Sequence, residues 1–145
     1  MQRPDLDAPS SEWLVYGDSL QVAGDPRGEL ISLFHGADDK ARDAYVHKHA
    51  EALLGPAAKP FRQNAYRLRW KHCFIDTAEV LVDANHTGEH AVRALREAPV
   101  AELLRELVIV GVTNEANRID ASKAVAAAVE APWPTCRSLA LVDER

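Results

Sequence analysis

Apolar residues recur at helical spacing through the first third of the chain and at strand spacing in much of the rest. Trp13, Tyr16, Gly17 and Leu20 share one face of a helix that Ser10 or Ser11 would cap. Gly24 supplies a left-handed stop, and Asp25-Pro26 opens the next helix as N-cap and first helical residue. Leu30, Ile31, Leu33 and Phe34 form its buried stripe, and Gly36 ends it. Asp38 and Asp39 start a third helix with Tyr45, Val46, Ala50, Leu53 and Leu54 on its inward side, stopped at Gly55-Pro56. Residues 1–9, polar and with two prolines, read as a loose arm.

From Phe74 to Val82 the pattern becomes that of a strand, rich in β-branched and aromatic residues. A turn at 85–88 leads to a helix with Ala91, Val92 and Leu95 inward. Arg105 to Val110 is the next strand, followed by Gly111, a polar loop, a helix over 120–130 and a last strand at Arg137 to Val142. The last two strands match in outline at an offset of 32, with Arg, Leu, a branched aliphatic and Val on identical spacing, and each follows a Glu-Ala-Pro triplet (Glu97-Ala98-Pro99, Glu130-Ala131-Pro132). A repeated helix–loop–strand unit forces parallel strands, because each strand returns only after a crossover. The expected fold class is therefore α/β: a three-helix cap, then a short solenoid of strand–helix repeats with a three-stranded parallel sheet. Ala78, Val80, Val82, Leu107, Ile109, Leu139 and Leu141 are the predicted core face. Glu79, Leu81, Val108, Val110, Ala140 and Val142 make the other face, which is apolar enough that something should cover it.

Composition narrows the function. A net charge of −5 argues against a dominant nucleic-acid or membrane-surface role. No apolar run approaches a membrane span or a signal peptide, and two cysteines do not make a disulfide framework, so a cytoplasmic protein is expected.

Glu12-Trp13-Leu14-Val15-Tyr16-Gly17-Asp18-Ser19-Leu20 followed by Gly24-Asp25-Pro26-Arg27-Gly28-Glu29-Leu30-Ile31 resembles the repeat-companion domain of myxobacteria and planctomycetes. Trp70-Lys71-His72-Cys73-Phe74-Ile75 is similar to that family's exit turn. Gly17, Ser19 and Cys73 stand where Ala, Trp and Gly are commoner. The resemblance covers residues 10–75. It implies a helical cap on units loosely similar to leucine-rich repeats, with no catalytic residues to transfer. Within a single domain over 1–145 it divides the chain into a cap (10–56), a basic and aromatic connector (57–73) and leucine-rich-repeat-like units (74–145).

Candidate chemistry is thin. His47 and His49 are two apart and cannot share a helix face, and His86 to His90 lies in a turn, so no metal site is expected. His72 and Cys73 are adjacent, which on a strand points them apart and removes a local dyad. Asp18 is placed to fix the first inter-helix turn through Arg27. No catalytic group and no cofactor motif stands out. Lys59, Arg62, Arg67, Arg69 and Lys71 gather among Phe61, Tyr66 and Trp70, with no acidic residue between Glu51 and Asp76. That stretch is the only argument for nucleic acid, and the net charge weighs against it.

The leading expectation is a non-enzymatic protein-interaction module. It would bind through Leu81, Val108, Val110, Ala140 and Val142 and through the unprotected edge of the last strand. The partner is a protein, with another copy of the chain among the candidates, as a dimer or a larger assembly. The alternative is a small enzyme or ligand-binding protein with Asp83, Asn85, Asn114 and Asp143 converging at the strand C-termini.

Overall fold

The computed structural model describes residues 1–112 and 119–144. Five short helices come first: α1 (Ser10–Val22), α2 (Pro26–His35), α3 (Asp39–Lys48), α4 (Ala50–Leu54) and α5 (Ala58–Arg62). A hairpin follows, β1 (Tyr66–Lys71) and β2 (Phe74–Val82), and then α6 (Glu89–Arg96), β3 (Glu106–Val112), α7 (Ser122–Val129) and β4 (Ser138–Glu144). The four strands lie in the order β1-β2-β3-β4. β1 is antiparallel to β2, while β2, β3 and β4 run parallel. Leu107 and Leu139, the matching positions of the two repeats, are partners across the β3–β4 pair.

The sheet thus carries one strand more than expected and is mixed rather than all-parallel. The connector over 57–73 is not a linker: it folds into α5, the first strand and the hairpin turn. Tyr66, Leu68 and Trp70 turn toward the core while Arg67, Arg69 and Lys71 face away, a period-two pattern suited to a half-covered strand. The turn reverses over His72 and Cys73, with Lys71 opposite Phe74. The positive φ (57°) falls on His72 rather than on Cys73, so Cys73 in place of Gly carries no strain.

α1 and α2 cross at two glycines. A Cβ on Gly28 would lie 2.6 Å from the Gln21 amide nitrogen and 2.7 Å from the Gly17 carbonyl oxygen, so backbone meets backbone there. Asp25 caps α2 by accepting from the Arg27 N–H, and its carboxylate also holds the Arg27 guanidinium at 2.7 Å. Asp18 is exposed and takes no part in this junction; small residues at the crossing do the work expected of it. The α1 start also departs from expectation, since no side chain caps it.

One continuous core runs from Leu6 and Trp13 through Leu30, Leu54 and Ile75 to Ile109 and Ala124. Ala91, Val92 and Leu95 of α6 and Ala124 and Ala127 of α7 belong to it with Ala78, Val80, Val82 and Leu107, so both helices cover the same face of the sheet. The two are clamped at the second Glu-Ala-Pro triplet. Glu130 accepts from Arg93, and Arg96 donates to the carbonyls of Ala127 and Ala128 at the end of α7 and lies over Trp133. Cationic groups suit the negative end of a helix.

The arm is not loose. Leu6 is buried, the Trp13 indole N–H donates to Asp5 O, and Asp7 pairs with Lys71 and Arg105. His72 stacks on Trp13 with centroids 4.4 Å apart, and its Nε2 lies 3.2 Å from Leu6 O. A carbonyl only accepts, so neutral His72 carries its proton on Nε2, leaving Nδ1 to accept from Nε2–H of His35 at 3.1 Å.

Candidate functional site

β4 is the last strand of the sheet, and among the described residues nothing pairs with its outer edge. The sequence dictates what this exposes. Leu139 and Leu141 sit in register with Leu107 and Ile109, and by pattern they belong to the core. Leu107 and Ile109 are covered by the α6–α7 layer, but Leu139 and Leu141 are 44% and 63% exposed because, among the described residues, no further helix lies over them. They lie on the expected face, but they are not buried as core residues would be, and for a tertiary reason: one more covering element is needed than the described residues provide.

Beside them lies a groove of about 650 Å³, walled by Ile119, Val125 and Leu141 and closed at its end by Gly111 and Asp143. Val129 of α7 and Val142 are also exposed. Together these make an apolar patch on both sides of β4, next to open backbone donors and acceptors.

The five residues expected to bind a partner do come together. Leu81, Val110 and Val142 form one row across the sheet, and Val108 and Ala140 the next. They are not equally reachable. Val108 and Val110 are buried, at 8% and 2% exposure, yet stand outside the main core. Leu81 and Ala140 are half-buried, and Val142 is exposed. Arg67 of β1 bonds to Glu144 at the end of β4 at 2.9 Å and lies 3.6 Å from Glu79 between them. A flat sheet would hold its two outer strands about 14 Å apart. Contact between side chains of β1 and β4 therefore means that the sheet curls toward this face, which closes around Val108 and Val110.

The basic stretch is dispersed. Arg62 pairs with Glu51, whose carboxyl that contact holds at about 2, well below the usual range. Arg67 is tied to Glu79 and Glu144, and Lys71 to Asp7. Lys59 and Arg69 are exposed but lie on different elements. The aromatics point inward: Tyr66 donates its hydroxyl to Ala91 O, and Trp70 and Phe61 pack against the core. Among the described residues, no face joins free cations to free rings, which is what a single nucleic-acid strand needs.

Among the described residues, the polar groups expected at the strand C-termini have separate surroundings. Asp83 is taken up in its own turn, accepting from the amides of Asn85 and His86. Asp143 lies beside the apolar groove, and Asn114 falls outside the described residues. Of the thiols, Cys73 is buried and pushed up to about 12 by desolvation, whereas Cys136 is partly exposed. No helix among the described residues is long and apolar enough to cross a membrane.

Sequence reasoning missed that the exposed apolar surface centres on Leu139 and Leu141. The signal was present in part: β4 stands at the edge of the sheet, where among the described residues α7 lies over β3 and not over Leu139 and Leu141. Comparison with protein-family models, curated proteins and solved structures gave no match.

Proposed function

We propose that this chain is a non-enzymatic protein-interaction module that binds through the open side of β4. The observation that carries this reading is the exposure of Leu139, Leu141 and Val142 on an edge strand, beside the groove under α7. An unpaired strand offers main-chain bonds, and flanking apolar side chains supply the area that makes such pairing stable. Val142 and Ala140 keep the expected role of the outer face, Leu81 sits at its margin, and Val108 and Val110 act from beneath as its rigid floor.

The front end fits a repeat-companion cap preceding short leucine-rich-repeat-like units. Supporting this, Gly-Asp-Pro-Arg-Gly forms the tight α1–α2 junction, and the two matching strand segments lie side by side with their helices on one face. Two unpaired thiols support a reducing, cytoplasmic setting.

The test is affinity capture from the native host with the wild-type chain beside a Leu139→Asp, Leu141→Asp variant. Both positions are exposed in the folded chain, so the variant should fold, which circular dichroism checks. Loss of specific proteins from the folded variant supports the reading. An unchanged set of captured proteins contradicts it.

A further inference from the structure

We propose that the partner of β4 is a second copy of this chain, paired antiparallel about a two-fold axis at Ala140 so that the four-stranded sheet doubles. This deepens the interaction reading above and rests on it. The direction of the free amides comes first. Leu81 N–H donates to Ala65 O on the β1 side, so the amides of Ala78 and Val80 face β3. In a parallel ladder one member of each opposed pair turns both its amide and its carbonyl toward the partner strand, and the other turns them away. Carried through the register Ala78–Leu107–Leu139, this points Ser138, Ala140 and Val142 at β3 and leaves Leu139, Leu141 and Asp143 facing the open edge. The bond from Ser138 N–H to Arg105 O at 3.3 Å agrees; Arg137 N–H also turns to Arg105 O, at 2.8 Å, so the strand's open backbone edge begins at Leu139 and Arg137 offers it only a side chain.

Pairing β4 with itself must then oppose odd-numbered residues with odd-numbered ones. Centred on Ala140, it sets Leu139 against Leu141 of the second copy and Arg137 against Asp143, each twice by symmetry. Arg137 and Asp143 are both exposed, and neither has an ion-pair partner among the described residues. Other centres are poorer: at Leu141 the axis would oppose Leu139 to Asp143, and at Leu139 it would oppose Arg137 to Leu141. The charges and the leucines therefore select one register, and it is self-complementary. The four leucines would gather on the helix side of the joined sheet, between the two α7 helices and their exposed Val129 side chains. Ala140 would meet its own copy in a non-hydrogen-bonded pair, with Cα atoms about 4.5 Å apart.

Light scattering on the purified full chain over a wide concentration range is expected to give a limiting mass of twice 16.0 kDa. Leu141→Asp should weaken the dimer at least about a hundredfold, since it buries an unpaired charge twice. Arg137→Asp and Asp143→Arg should each weaken it, and the double variant should restore it, because the opposed charges are then merely exchanged. Ala140→Cys in a Cys136→Ser background should cross-link on mild oxidation, and this near-native variant does not depend on the tolerance of charge in the strand. A mass of 16.0 kDa at every concentration overturns the dimer, while the host-capture experiment still decides whether β4 binds other proteins. Mass that grows without limit means head-to-tail association and also overturns it. So does a dimer that neither charge reversal affects and Ala140→Cys does not cross-link.

Discussion

Replacing Gly28 with alanine tests the helix junction on which the cap depends. The added methyl would sit 2.6 Å from Gln21 N, 2.7 Å from Gly17 O and 2.8 Å from Gln21 Cγ. Two of these neighbours are backbone, so no rotamer change relieves them, and α1 must shift by nearly an ångström to regain ordinary contact. α1 is held on its other side by Trp13, fully buried against His72 and Phe74. Overpacking of this kind costs about 1–3 kcal/mol, and opposition from the backbone places it toward the top of that range or beyond. The helix-propensity gain of Gly→Ala offsets about 1 kcal/mol. The expected net loss is about 2 kcal/mol or more, roughly a 4–8 °C fall in melting temperature for a chain of this size. Gly17→Ala is the control: its methyl would meet Ile31 Cγ2 at 3.2 Å and Gly28 O at 3.4 Å, tight by only a few tenths of an ångström, so propensity and crowding should nearly cancel. Thermal and urea melts of both variants give the answer. A Gly28→Ala protein as stable as wild type would refute the close crossing.

The arm should respond to pH. Burial, then repulsion from His35 and Lys71, holds His72 below the ordinary histidine range, outweighing its bond to Leu6 O and the attraction of Asp7. The unfolded chain then binds a proton that the folded chain does not, so stability should fall as pH drops through about 6.5 and level off below the folded pKa. Urea melts from pH 7.5 to 5 should show this slope, and His72→Asn, which tolerates the positive φ, should flatten it. With a thiol-specific reagent, Cys136 should react in the native protein and Cys73 only on unfolding; two fast thiols would contradict the burial of Cys73. Arg96→Ala should cost about 1.5–3 kcal/mol, because it strips two carbonyls at the end of α7 of a charged donor. A neutral result by melting would mean that water serves those carbonyls equally well.

Much of the helical front end was legible, because capping and stop residues act locally: Asp25-Pro26 and Asp38 begin α2 and α3 where they should. The repeat also predicted a relation between distant parts, the parallel pairing of Leu107 with Leu139. β1 was not predicted although Tyr66 to Lys71 alternates apolar and basic residues, because a short run so rich in cations reads equally well as a solvated connector. The ordering of the arm was not readable locally. It depends on Asp7 meeting Arg105 and Lys71, and on Leu6 meeting His72, all far apart in sequence. The candidate surface was half legible. Pattern put the right residues in rows, but burial of Val108 and Val110 follows from sheet curl, and exposure of Leu139 and Leu141 from the lack of a covering helix; neither is written in the strands themselves.

Residue-resolved hydrogen exchange along β4 addresses the interaction surface most directly. In the dilute chain, before association, the amides of Leu139, Leu141 and Asp143 should exchange quickly, while those of Ala140 and Val142, bonded to β3, are slower. On association, at high concentration or with a captured protein, the first three should become protected. Protection of all three in the dilute monomer, or none in the associated state, would contradict the claim that β4 is the open, partner-binding side.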